Sequence, residues 1–452
     1  MSMDLDPAWR RFHFVGIGGA GMVALARVLS EAGFEVTGSD LRDSSTLNLL
    51  RLSGVKADIG HKASQVQGAD VVIVSAAIPP DNAEVVAAHQ AGSAVISRGE
   101  ALQRVVANKR TAAVSGTHGK TTTSAMIATI LEVTGQDPTY LLGADLSRRG
   151  PGGRLGGGEL AVVEADEAYG SFLHLRPAVA VITNIEADHL DHYGGMEQLI
   201  AAFETFISHS ENVIVCADHP LTAHIHDGAV SYGFADDADV RGFDLVTDAS
   251  TAAFGLEAQG EVIERVELAI GGRHNAQNAI AALAACRLLG LDIHRAAEAI
   301  GRFTGASRRF EFRGKLDGAD FVDDYAHHPT EIEATLTAAR TGPWRRIVAV
   351  FQPHLYSRTR DLCDAFGLAL AGADLVVVTD VYGAREAPLP GVTGKLIVEA
   401  VCDSAPGKRV VYQPRLADAA SFVKGELRDG DLVLSLGAGD ITSLPELLSA
   451  RI

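Results

Sequence analysis

The chain reads as α/β throughout, in three successive domains: the first and last Rossmann-like, the central one a P-loop-type ATPase sheet carrying an antiparallel excursion. Three observations predict this. Short apolar runs alternate with amphipathic stretches of helical period. Polar clusters and glycine turns follow the carboxyl ends of those runs, where an open parallel sheet binds its ligands. Finally, 452 residues with 47% hydrophobic and 21% charged side chains suit about three globular domains. Breaks near Asn108-Lys109-Arg110 and after Thr304 place them at 1–108, 109–303 and 304–452.

The first domain opens with a strand at 12–15 and the turn Gly16-Ile17-Gly18-Gly19-Ala20-Gly21. An amphipathic helix to about residue 32 and a strand at 35–38 ending in Ser39-Asp40 follow. This satisfies G-x-G-x-x-G with an acid about twenty positions on, the fingerprint that seats a pyrophosphate on a helix N-terminus and a ribose on the acid. The residues alone leave open a nicotinamide dinucleotide and a nucleotide sugar such as a UDP-sugar, since both bring a diphosphate. Strands at 70–75, leaving through Ala76-Ala77-Ile78-Pro79, and at 94–97 extend the sheet.

The second domain is organised around Val114-Ser115-Gly116-Thr117-His118-Gly119-Lys120-Thr121-Thr122-Thr123, between a predicted strand at 111–114 and a predicted helix at 124–133 closed by Gly135. Strand, glycine loop and helix make a phosphate cradle in which Lys120 reaches the outer phosphates and Thr121 ligates Mg²⁺. The stretch is shorter than a regular Walker A loop, because Val114 stands where the first glycine belongs. Two further apolar strands end in acids, one in Glu164-Ala165-Asp166-Glu167 and one in Asn184-Ile185-Glu186-Ala187-Asp188-His189-Leu190-Asp191. Both clusters should converge on the phosphate loop, where hard oxygen ligands serve Mg²⁺; acids after a strand can also simply cap the next helix. Alternating runs at 230–234 and 262–268 predict the antiparallel excursion. Then Gly271-Gly272-Arg273-His274-Asn275-Ala276-Gln277-Asn278 opens a long helix, with Asn275 and Asn278 one turn apart and able to read an adenine edge, or with His274 or Asn275 acting as an N-cap.

The third domain follows a connection holding Arg308-Arg309-Phe310. Its strands at 321–324 and 347–351 end in Tyr325-Ala326-His327-His328-Pro329 and Gln352-Pro353-His354-Leu355-Tyr356-Ser357-Arg358-Thr359-Arg360, each leading into a helix. Further strands are expected at 374–379, 409–412 and 432–436. The adjacent histidines can be read as metal ligands, or one of them as the residue before a helix that begins at Pro329. Gly437-Ala438-Gly439-Asp440 lacks a Lys-Thr pair and reads as a tight turn.

The formal net charge of −18 argues against a nucleic-acid partner, whose phosphates require a basic surface. Cys216, Cys286, Cys363 and Cys402 are far apart and read as reduced thiols. The polar N-terminal stretch 1–11 and the absence of any long apolar run predict neither signal peptide nor membrane span, hence a cytoplasmic protein.

In this order and spacing, the glycine turn at 16–21, Gly116 to Thr122, Glu164 to Glu167, Thr183 to His189, Gly272-Arg273-His274-Asn275, Asp323-Asp324-Tyr325-Ala326-His327-His328-Pro329-Thr330-Glu331 and Phe351-Gln352-Pro353-His354 resemble the Mur ligases over essentially the whole chain. The resemblance implies ATP-driven amide-bond formation in peptidoglycan precursor synthesis: a lactyl carboxylate of UDP-N-acetylmuramate takes the γ-phosphate of ATP, and the amine of L-alanine displaces it, giving ADP and phosphate. It settles the first ligand as the UDP-sugar, held by Gly18, Gly19, Ala20, Gly21, Ser39, Asp40 and Ser75. ATP would lie on Gly116, Thr117, His118, Gly119, Lys120, Thr121 and Thr122, with His274, Asn275, Asn278 and Arg309. Mg²⁺ would be met by Thr121, Glu164 and His189. Lys120, His327, Asp324 and Arg358 would be the catalytic residues, Arg358 for the alanine carboxylate. Two places depart from relatives: Leu355 stands where some carry Arg, and Ala168-Tyr169-Gly170 replaces a Ser-Asp pair. A related subgroup joins a recycled peptide to the same sugar nucleotide and is the second reading.

Overall fold

The computed structural model describes residues 3–146, 150–223, 225, 227–384 and 386–449, the side chains of Ser45, Asp191 and Ser449 excepted; the carboxylate of Asp191 thus lies outside the described residues. The chain forms two compact units: one of Met1–Leu245, Ala253–Leu268 and Asn275–Thr304, the other of Val246–Ala252, Ala269–His274 and Gly305–Ile452.

The first unit begins with a five-stranded sheet of β1 (Arg11–Val15), β2 (Glu35–Asp40), β3 (Lys56–Ile59), β4 (Val71–Val74) and β5 (Ala94–Ser97), in the order β3-β2-β1-β4-β5. Every pairing is parallel. The order reverses at β1, so a crevice opens over its carboxyl end, where the glycine turn leads into the helix Ala20–Glu31.

A ten-stranded sheet follows, of β6 (Arg110–Ser115), β7 (Thr139–Leu141), β8 (Gly153–Arg154), β9 (Leu160–Glu164), β10 (Val179–Ile182), β11 (Asn212–Cys216), β12 (Val230–Gly233), β13 (Val240–Thr247), β14 (Ala252–Ala258) and β15 (Glu261–Leu268). Their order is β15-β14-β13-β12-β11-β10-β6-β9-β7-β8. β6 lies between β9 and β10 with parallel pairing, Val114 opposite Glu164 and Ser115 opposite Ile182, so three polar strand ends emerge side by side. The helix after the phosphate loop is Lys120–Val133 and starts earlier than the apolar pattern suggests. Gly119 turns the chain in the left-handed region at φ 82°, so Lys120 and Thr121 already lie in the first turn. The expected excursion divides in two. β12 pairs in parallel with β11, the segment between them being long enough for a crossover. The chain reverses where connections are short: four residues join β13 to its neighbour β14, and the two-residue connection Gln259-Gly260 between β14 and β15 has φ of 51° and 84°, the primed-turn geometry of a hairpin.

The second unit contains a six-stranded sheet, of β16 (Glu311–Leu316), β17 (Ala319–Asp324), β18 (Arg346–Phe351), β19 (Leu375–Val378), β20 (Arg409–Tyr412) and β21 (Asp431–Leu436), in the order β16-β17-β21-β18-β19-β20. The edge strand β16, absent from the sequence-based expectation, pairs antiparallel with β17 through an irregular register at Phe312 and Gly314. Its residues are largely exposed, so it lacks the apolar run that betrays the buried strands. The helix Pro329–Arg340 begins at the proline, with His328 as its N-cap residue, 6% exposed. At 437–440 the chain makes a close turn: a Cβ on Gly437, φ 142°, would lie 2.7 Å from the Gln352 carbonyl oxygen, and the Gln352 side chain donates to Asp440 at 2.7 Å.

Candidate active site

In the first unit, the turn at 16–21 is tied to the end of β2. The amides of Gly16 and Ile17 both donate to the Ser39 carbonyl at 2.9 Å, and the Gly18 amide donates to Oδ2 of Asp40 at 2.9 Å. Asp40 therefore braces the glycine turn. The Ser39 side chain does not line the crevice: it is fully buried and donates to Glu84 at 2.6 Å, beside Nδ1 of His61 at 2.8 Å. Burial works against the Glu84 charge, but His13, Ser39 and His61 hold the carboxyl below its usual pKa. Ser75, at the end of β4, packs against Gly16, whose Cβ would lie 3.1 Å from that of Ser75.

The phosphate loop is pinned by the segment after β10. The Thr117 amide donates to the Asn184 carbonyl at 3.1 Å, the His118 amide to Oδ1 of Asn184 at 2.8 Å, and the Glu186 amide to the Thr117 hydroxyl at 2.8 Å. Thr183 and Asn184 both donate to the His118 carbonyl. Gly116 has φ 129°, and a Cβ there would fall 2.2 Å from Oγ1 of Thr183; on Gly119 it would fall 2.6 Å from Oδ1 of Asn278. No larger residue fits between loop and neighbours, so the cradle is preformed. Thr121 and Thr122 are buried in the first helical turn, and Asn275 is buried in the helix Arg273–Leu288 that carries Asn278.

Both acidic clusters reach this loop. Lys120 Nζ donates to both oxygens of Glu167 at 2.9 and 2.8 Å, lies 4.0 Å from Asp166, and donates to the carbonyls of Gly116 and Thr117. Burial opposes the Lys120 charge, but Glu167, Asp166 and Glu164 together raise its pKa above the ordinary lysine value. Glu167 is pushed up to about 7, by burial foremost and by Asp166, against the pull of Lys120. On β9, Glu164 accepts from the Gly143 amide at 2.8 Å through Oε2. A Cβ on Gly143 would lie 2.6 Å from its Oε1 and 2.7 Å from its Oε2, so glycine there is what lets the carboxylate sit as it does. His189, in the left-handed region at φ 55°, has Nε2 3.7 Å from Asp188. A hydroxyl, a carboxylate and an imidazole at adjoining strand and helix ends suit a hard divalent cation whose other ligands come from a nucleotide and water.

The second unit gathers another polar set. His327 Nδ1 lies 2.9 Å from the Tyr325 carbonyl and 3.1 Å from Glu331, with its ring edge-on to Tyr325 at 5.0 Å and to His354 at 5.9 Å. His354 stacks on Tyr382 at 5.9 Å and meets Nη1 of Arg358 at 3.3 Å. Arg358 is 7% exposed. Arg309 lies over the Tyr325 ring at 5.1 Å and 3.5 Å from Glu331. Asp324 is buried and accepts the amides of Phe310 at 2.9 Å and Ala326 at 2.7 Å, one on each oxygen; burial pushes its pKa up to about 6, against Arg309. This carboxylate ties the residue before β16 to the turn after β17, and His327 lies in that same turn. His274 is pushed down to about 4 by burial, Arg309 adding to the effect and Glu331 opposing it.

Several residues at these sites carry no individual role in the sequence analysis. Asn184 and Thr183 fasten the phosphate loop, Glu331 orients His327, and Arg98, the first residue after β5, reaches Asp166 and Ser171. Arg98 could have been found by the same signal as the others, a polar residue at a parallel strand's carboxyl end.

Family models cover most of the chain: "Mur ligase family, catalytic domain" at residues 11–110, "Mur ligase middle domain" at 114–286 and "Mur ligase, glutamate ligase domain" at 308–439. The chain is 44% identical over 460 aligned positions to UDP-N-acetylmuramate–L-alanine ligase of Desulforamulus reducens, covering 100% of this chain and 99% of that one. It is also 44% identical to the ligase of the same name from Halorhodospira halophila, over 97% of this chain and 93% of the relative. Among solved structures it resembles the UDP-N-acetylmuramate-alanine ligase of Thermotoga maritima, with a TM-score of 0.84, 30% identity and coverage of 97% and 98%. By sequence matches spanning all three sheets, this chain belongs to the Mur ligase family.

Proposed function

We propose that this chain joins L-alanine to the lactyl carboxylate of UDP-N-acetylmuramate at the expense of ATP, releasing ADP and phosphate. The observation that carries the reading is 44% identity, end to end, to relatives that bear this activity as their name. It is supported by a preformed phosphate loop whose lysine is ringed by carboxylates. Under the same reading the three domains run 1–108, 109–303 and 304–452, for the UDP-sugar, for ATP and for the amino acid, and the enzyme works in the cytoplasm, in keeping with four free cysteines.

The reaction brings a carboxylate against a triphosphate, so positive charge must meet the oxygens on which negative charge builds. Lys120 supplies it from a helix start, and must exchange Glu167 for phosphate to do so. Mg²⁺, held by Thr121, Glu164 and His189, would neutralise phosphate charge and polarise the γ-phosphoryl group. Backbone amides of 116–120 orient the phosphates. The alanine amine then attacks the acyl carbon, forming the C–N bond and expelling inorganic phosphate, and His327, its ring fixed by Glu331, would accept the proton the amine gives up. The guanidinium of Arg358 suits the alanine carboxylate.

A peptide-recycling reading has one specific support, a 29% identical structure over 67% of the chain, a ligase for UDP-N-acetylmuramate and L-alanyl-γ-D-glutamyl-meso-diaminopimelate from Neisseria meningitides, TM-score 0.61. Phosphate release with ATP, Mg²⁺ and UDP-N-acetylmuramate separates the two. Release that requires L-alanine supports the alanine ligase; release only with the tripeptide would replace it.

A further inference from the structure

The third glycine of the turn, Gly21, normally permits a helix to pack closely on a strand. Here it makes room for a cation. A Cβ on Gly21 would lie 2.5 Å from Nη1 of Arg98, 3.2 Å from its Cζ and 3.4 Å from its Cδ, so the guanidinium rests on the first turn of the helix Ala20–Glu31. On its other side, Nη2 of Arg98 donates to the Ser171 hydroxyl at 3.0 Å and lies 3.9 Å from Oδ2 of Asp166. Ser171 donates in turn to the Asp166 carbonyl at 2.7 Å, and Asp166 lies 4.0 Å from Lys120. Arg98, packed on the glycine turn, therefore begins a series of polar contacts that runs through Ser171 and Asp166 to Lys120 of the phosphate loop.

Local packing keeps it in place. Arg98 is the first residue of the helix Arg98–Val106, and a Cβ on the next residue, Gly99, would lie 2.5 Å from the Ser171 carbonyl oxygen. Only glycine lets that helix start sit against the segment Ala168–His174, where Tyr169 and Gly170 take left-handed conformations, φ 55° and 66°. The Arg98 side chain is 19% exposed, and its Nη2 is turned toward Ser171 and Asp166. Its Nη1 lies against Gly21, at the helix start that receives a diphosphate in this class of turn.

We propose that Arg98 binds an anionic group of the UDP-sugar, with Asp166 and Ser171 as positioning residues that aim it, and so links the sugar-nucleotide cradle to the phosphate loop. This rests on the reading of the first domain as the UDP-sugar site. Two anions of that ligand, the diphosphate and the lactyl carboxylate, could be the partner.

The test is calorimetric binding of UDP-N-acetylmuramate, of UDP and of an ATP analogue to the full-length wild type, Arg98→Met, Arg98→Lys and Ser171→Ala, alongside thermal unfolding. Arg98→Met should weaken UDP-N-acetylmuramate about tenfold to a hundredfold, the worth of a charge-assisted contact, with ATP-analogue affinity within about twofold. Arg98→Lys should restore part of the loss, and Ser171→Ala should show a smaller one. A parallel loss for UDP identifies the diphosphate as the partner; a loss confined to UDP-N-acetylmuramate identifies the carboxylate. Unchanged UDP-sugar binding in Arg98→Met, in a wild type that turns over with L-alanine, overturns the inference alone. A fall in unfolding temperature with equal loss of both ligands also overturns it, since Arg98 would then be a structural brace. A wild type that binds no UDP-sugar overturns the inference together with the reading beneath it.

Discussion

Gly143→Ala isolates the orientation of one carboxylate. The added methyl would stand 2.6 to 2.8 Å from the Glu164 carboxyl group, closer than any stable contact, and the group that must yield is a side chain. Gly143 does not occupy a left-handed conformation, so alanine brings no backbone strain of its own. The carboxylate swings away and loses the 2.8 Å amide contact to Oε2. A hydrogen bond to a charged group is worth about 1.5–3 kcal/mol, or roughly tenfold to 150-fold in an equilibrium constant. Changes behind a metal ligand cost a similar ~10- to 100-fold in metal affinity. If Glu164 holds Mg²⁺, the Mg²⁺ concentration for half-maximal phosphate release should rise by that factor, and Mn²⁺ binding followed by electron paramagnetic resonance should weaken in step. The unfolding temperature should move little. An unchanged Mg²⁺ requirement with wild-type Mn²⁺ binding would refute the assignment of Glu164 as a ligand.

Lys120→Met should reduce turnover by about three orders of magnitude or more, as loss of a principal transition-state cation does, while UDP-sugar affinity stays near wild type; calorimetry showing both lost together would contradict the separation of the two sites. His274 titrates from about 4 in the folded chain against 6.5 unfolded, so its stabilisation is complete above 6.5 and is lost as pH falls toward 4. The limiting size is ~3 kcal/mol, less because the residue is only half-buried. Chemical unfolding of His274→Asn should show a shallower loss of stability between those pH values, and parallel curves would dismiss this account. Glu84→Gln should destabilise the chain by about 3 kcal/mol, because it breaks a buried network with Ser39, His61 and His13, and it should weaken the wild-type loss of stability below pH 4.5, where a carboxyl held low in the fold takes up its proton; a variant as stable as wild type at neutral pH would count against that network.

What was legible in the sequence was whatever strand ends carry on one continuous stretch. The turn at 16–21, the loop at 116–122 and the acids after Val163 and Thr183 could all be read because apolar strand, turn and polar cluster follow one another in the chain. What was not legible came from residues distant in sequence. Asp40, expected among the UDP-sugar ligands, also braces Gly18; Ser39 turns inward because Glu84 and His61 offer it partners; Lys120 is held by Glu167, forty-seven positions on. β16 escaped because an exposed edge strand needs no apolar run, and the parallel pairing of β12 could not be told from antiparallel by alternation alone. Arg98 illustrates the limit best: its position after β5 was visible, but its meeting with Gly21 and Asp166 depends on two close approaches permitted by glycine.

The most direct test of the ligase chemistry uses UDP-N-acetylmuramate labelled with ¹⁸O in both oxygens of the lactyl carboxylate, turned over with ATP, Mg²⁺ and L-alanine. Attack of that carboxylate on the γ-phosphorus, followed by expulsion of phosphate by the amine, carries one labelled oxygen into each phosphate released. Mass spectrometry of the phosphate should find one ¹⁸O per molecule and one left in the amide carbonyl. Unlabelled phosphate formed in an alanine-dependent reaction would contradict the account.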